Sequence, residues 1–113
     1  MMHQMKLQQN PFDLIKSGEK TIEVRLYDDK RQLIAVGDTI EFSKLPELTE
    51  TINVVVEALL IYKDFKSLFT DFDANKFGGK GWSIDALVEN MHTYYSVEDE
   101  QKFGVLGIKV RVI

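Results

Sequence analysis

The chain contains no cysteine, only two prolines and only two histidines among its 113 residues. Lack of cysteine excludes disulfides, thiolate nucleophiles and thiolate metal sites. His3 and His92 stand far apart in the sequence, and neither has a zinc-type spacing around it. No metal or organic cofactor is expected. Long apolar runs are also missing. No window approaches the ~20 apolar residues of a membrane span, and the N-terminus lacks the apolar run of a secretory signal. A soluble cytoplasmic protein is the expectation. An excess of positive charge is absent too, since the net charge is −4. Residues 1–44 hold seven basic and seven acidic side chains, whereas residues 45–113 hold seven and eleven. That balance excludes a strongly basic nucleic-acid binder. Any RNA contact must come from a local pocket or patch.

What is present reads as one domain, residues 1–113. Residues 4–8 alternate as a short strand. Asn10-Pro11 reads as a helix start, with Asn at the N-cap and Pro at the first helical position. Gly18 is placed to end that helix in the left-handed conformation. A strand follows over residues 20–27. Gln32 to Val36 reads as an extension of a hairpin, and Gly37-Asp38 as a turn into a strand at Thr39–Ser43. Residues 51–62 are rich in β-branched side chains and give the clearest strand. There Ile52, Val54 and Val56 point inward, and Leu59-Leu60-Ile61 reads as buried on both faces.

Asp64, Ser83 and Ser96 read as N-caps of three helices between residues 64 and 103. Phe65, Leu68, Phe69 and Phe72 form one helical stripe, and Ile84, Leu87, Val88 and Met91 another. The final strand, Val105–Ile113, alternates apolar residues with Lys109 and Arg111. Strands at both ends and helices between them predict an α+β fold. Its sheet is small, mixed and barrel-like, with helices packed at its openings.

The most informative stretch is Gly18-Glu19-Lys20-Thr21-Ile22-Glu23-Val24-Arg25. The two-residue period of a strand puts Thr21, Glu23 and Arg25 on one face, and Ile22, Val24 and Leu26 on the other. Together with Gly37-Asp38-Thr39-Ile40-Glu41-Phe42 it resembles the signature of the ASCH domain family. The closing segment from Tyr94-Tyr95-Ser96 through Phe103-Gly104-Val105-Leu106-Gly107-Ile108 is similar to that of a bacterial single-domain branch. This resemblance covers nearly the whole chain. It implies a PUA-like barrel with a cleft that binds RNA or a nucleotide. One bacterial branch hydrolyses the amide of acetylated cytidine with a Lys, a Thr and a Glu. Lys20 falls on that lysine. Glu23 stands at the threonine position, and Gly78 to Trp82 supply no glutamate.

Three readings follow. In the first, Lys20 and Arg25 pair with phosphate and Glu23 accepts from a base, while Lys80 and Trp82 form a rim and Tyr95 lines the cleft. Arginine suits phosphate because its planar fork meets two oxygens. Trp82 offers a face for stacking, worth ~1–3 kcal/mol per base. The alternative is a small amidohydrolase acting on an acylated cytidine, with Lys20 and Glu23 catalytic. The third is a protein-interaction module. Each residue also has a plainer role. Lys20, Glu23 and Arg25 make an ion pair on a solvated sheet face, and Trp82 anchors a helix in the core. His92 sits on a helix surface, and His3 frays with the terminus. Glu98, Asp99 and Glu100 stabilise the positive end of a helix dipole.

Overall fold

The computed structural model describes all residues, 1–113. Five strands form one mixed sheet: β1 (Met2–Leu7), β2 (Ile22–Leu26), β3 (Thr39–Lys44), β4 (Thr51–Tyr62) and β5 (Val105–Val112). Their order across the sheet is β1-β3-β4-β5-β2. β1 runs parallel to β3, and every other pair is antiparallel. Four helices complete the fold: α1 (Gln9–Ser17), α2 (Phe65–Thr70), α3 (Ile84–His92) and α4 (Val97–Phe103). The sheet curls into a half-barrel. β4 allows the curl because its register against β5 slips between Val56 and Ala58, and a bulge bends and twists its strand. No helix is long and apolar enough to cross a membrane.

Alternating side chains divide the interior in two. Even-numbered residues of β5 (Leu106, Ile108 and Val110) join Phe42, Val54, Phe12 and Ile15 inside the curl. Val105 joins Ile22, Val24 and Leu26 on the outer face, under Phe65, Leu68, Phe69 and Leu87. Gly107 sits where that helical layer comes closest. A Cβ there would lie 3.2 Å from both Ile22 Cγ2 and Leu68 Cδ1, so even a methyl group would make these neighbours give by a few tenths of an ångström.

Local signals explain the helix ends. Asp64, Ser83 and Ser96 each accept a hydrogen bond from a first-turn N–H, as their sequence positions predict. Gly18 closes α1 at φ 85°. Other expectations need correction. The α1 N-cap is Gln8, so Asn10 and Pro11 lie within the first turn. Arg31–Leu33 is a 3₁₀ turn, not a strand. It is held by Asp28, which accepts from both the Arg31 backbone N–H and its guanidinium. Ile61 is 55 % exposed, so the run Leu59-Leu60-Ile61 is not buried on both faces. His3 does not fray, since its ring lies 2.8 Å from the Asp38 carboxylate.

Candidate functional site

β2 carries the site because both of its faces are covered. Its apolar residues meet the helical layer, and Glu23 and Arg25 turn to the opposite side. The lead-in is fixed by two backbone bonds. Lys20 N–H donates to Leu14 O and Thr21 N–H to Lys76 O, each at 3.0 Å. The second bond ties β2 to the 3₁₀ turn Ala74–Phe77, whose exit is Gly78 at φ 80°. A Cβ on Gly78 would stand 3.2 Å from Lys20 Cδ and 3.1 Å from Leu14 Cδ1. Glycine there lets the loop lie directly over the lysine stem.

Glu23 is only 4 % exposed. Its Oε1 accepts from Lys20 Nζ at 2.8 Å, and its Oε2 from Arg25 Nε at 2.7 Å. Arg25 Nη2 donates to the Lys6 carbonyl at 3.0 Å. The guanidinium thus spans the two edge strands, β2 and β1. Burial pushes the Glu23 carboxyl up, but Lys20 and then Arg25 more than offset this and hold it down at about 2. Burial lowers Arg25 in turn, yet Glu23 and Tyr95 outweigh it and the net shift is upward. Two cations share one carboxylate, so one positive charge is left over. The reading of these residues as a pair on a solvated face is corrected: all three are largely withdrawn from water.

They form the floor of a cleft of about 590 Å³, within the size range of small-ligand sites. Among the residues singled out from the sequence, Lys20, Glu23, Arg25, Trp82 and Tyr95 line it. Lys80 does not. It is exposed, in the same loop as Trp82 but outside the cleft lining. Trp82 is 49 % exposed, so it does not anchor α3 in the core. Tyr95 stacks on Phe65 with ring centroids 6.1 Å apart.

Where the sequence leaves open which of Tyr94 and Tyr95 lines the cleft while the other packs inward, Tyr94 does so too and remains 62 % exposed. Its direction depends on α3 ending at Thr93, and no local signal fixes that end. Glu100 was read with the acidic helix start, and His92 as a surface residue. Glu100 instead turns inward, accepting from Phe65 N–H at 2.8 Å and lying 2.7 Å from His92 Nε2.

A half-barrel of this topology, with a charged cleft at its β2 edge, defines a PUA-like α+β protein. The ASCH domain family model matches residues 5–113, and the chain belongs to that family, whose members commonly bind RNA. No curated protein matches the chain. Among solved structures, the crystal structure of hypothetical protein PH0355 is 34 % identical over 100 % of both chains, with a TM-score of 0.90. The solution structure of PF0455 from Pyrococcus furiosus is 33 % identical over 100 % of this chain and 98 % of that one, with a TM-score of 0.80. The S128A mutant of ZmASCH from Zymomonas mobilis is 17 % identical over 96 % of this chain and 66 % of that one. Its TM-score of 0.61 carries the fold alone.

Proposed function

We propose that this protein binds single-stranded RNA or a nucleotide in the β2 cleft. The observation that carries the reading is the Lys20–Glu23–Arg25 cluster at the cleft floor, with one uncompensated positive charge. After their contacts with Glu23 and the Lys6 carbonyl, Lys20 and Arg25 retain N–H groups for a phosphate. Trp82, Tyr94 and Tyr95 supply flat faces for an unpaired base. Glu23 holds the two cations apart and in place. With both of its oxygens engaged, its role is positioning more than reading a base.

The amidohydrolase reading has weaker support. A general base works best with a pKa near the operating pH, and the Glu23 carboxyl lies far below that, at about 2. Release of free cytidine from acetylated cytidine would restore it. For the binding reading, fluorescence anisotropy with a single-stranded RNA is the direct test. Affinity falls as salt rises, and Arg25→Ala weakens it at least about tenfold, the loss of one charge-assisted contact of ~1.5–3 kcal/mol. Binding indifferent to both salt and Arg25→Ala contradicts the reading.

A further inference from the structure

We propose that the Val24 backbone reads the base: its N–H and C=O, on the free edge of β2, take the hydrogen-bonding edge of one unpaired base. This rests on the RNA-binding reading above and names the group that recognises the ligand there. β2 is an edge strand whose one neighbour is β5. In an antiparallel pair, alternate residues turn both backbone groups toward the partner strand, and the residues between them turn theirs away. Two bonds fix which is which. Thr21 O accepts from Val110 N–H at 2.9 Å, and Tyr27 N–H donates to Gly104 O at 3.0 Å. Between them the register runs unbroken from Ile22 opposite Lys109 to Leu26 opposite Val105. Glu23 and Arg25 therefore turn their backbone groups to β5. Those of Ile22, Val24 and Leu26 point outward, and no other backbone group takes the N–H or C=O of Val24.

The cleft straddles this edge. Its lining includes Glu23 and Arg25 from one face of β2, and Val24 with Phe69, Phe77 and Leu87 from the other. One cavity reaches both faces of an edge strand around its free side, which is where the Val24 backbone groups point. Ile22 and Leu26 do not line the cleft, so the window is one residue wide. An added peptide strand pairs through successive outward residues, whereas a base needs one donor beside one acceptor. Lys20 and Arg25, meeting at Glu23 next to this window, also favour an anionic chain over a peptide. Both Glu23 oxygens are engaged by those cations, which leaves the backbone to meet the base.

Uracil carries its N3–H between two carbonyls, so it offers a donor beside an acceptor in either orientation. The test compares an oligouridylate with the same oligomer built from 3-methyluridine, which keeps the phosphates and the stacking faces but replaces the N3–H by a methyl group. Affinity is read by anisotropy, and the Val24 amide by hydrogen exchange. The oligouridylate should slow exchange at Val24. The methylated oligomer should bind at least about fivefold more weakly, the loss of one hydrogen bond that leaves a carbonyl unpaired, and should give Val24 no added protection. Equal affinity for the two oligomers, with Val24 unprotected in both, overturns the backbone readout and leaves the RNA-binding reading standing. So does a Val24 amide that is as protected in the free protein as those of Glu23 and Arg25, because its edge is then already paired. Failure of both oligomers to bind removes both readings.

Discussion

Glu23 and Glu100 are the only charged side chains that the fold buries, and they are buried to different ends. Glu100 lies at α4 and reaches the start of α2 and the end of α3. One oxygen takes the Phe65 N–H and the other lies against His92, whose ring packs edge-on to Phe65 at 5.9 Å between centroids. None of these groups lines the cleft. Glu100 is a pin, and its bonding capacity is spent inside the protein. Glu23 also has both oxygens occupied, but by two cations that face a cavity and retain unused donors. The difference teaches that burial of a carboxylate does not mark a site by itself. What marks one is the surplus left on its partners.

Three substitutions probe that comparison. The largest effect falls on Glu23→Gln, which keeps the shape and removes the charge that joins Lys20 to Arg25. Stability at neutral pH drops by about 3 kcal/mol, as is usual when one partner of a buried ion pair is lost. The acid limb gives the sign. The folded carboxyl sits at about 2 against an ordinary 4.5, so its contribution is complete above about pH 5 and lost as pH falls toward 2. Urea unfolding across that range should show the variant and the parent converging at low pH. Parallel curves contradict the account. RNA affinity falls with Glu23→Gln, because its two cations lose their common anchor.

Glu100→Ala has a smaller effect and of another kind. It strands the buried Phe65 N–H, costing about 1–3 kcal/mol, and leaves RNA affinity as it was. A loss of RNA binding in a variant that still folds would erase the distinction between the two acids. The smallest effect belongs to Lys16→Ala. Its 2.8 Å contact with Glu50 lies between side chains about half exposed, where water and salt screen the pair. The unfolding midpoint should not move measurably.

The comparison also shows what the sequence conveyed. Strand alternation alone placed Glu23 and Arg25 on one side and Ile22, Val24 and Leu26 on the other, because β2 is regular and lies against a single helical layer. The caps at Asp64, Ser83 and Ser96 were equally legible, since each bonds within three residues of itself. Glu100 was not. Its inward turn depends on the start of α2 lying beside it, and Phe65 is 35 residues away along the chain. The parallel pairing of β1 with β3 was likewise hidden, as it joins strands separated by α1, β2 and a 3₁₀ turn. Lys80 was misplaced because a glycine-rich loop carries no period from which side-chain direction can be read.

The central claim is that RNA meets the protein where Lys20 and Arg25 converge on Glu23. Amide ¹⁵N–¹H spectra recorded during titration with a single-stranded RNA test it most directly. The account predicts that shifted resonances gather at residues 20–25, 78–82 and 90–95. Shifts centred instead on the far sheet face around Glu57 and Arg111, a paired and exposed region outside the cleft, would contradict it.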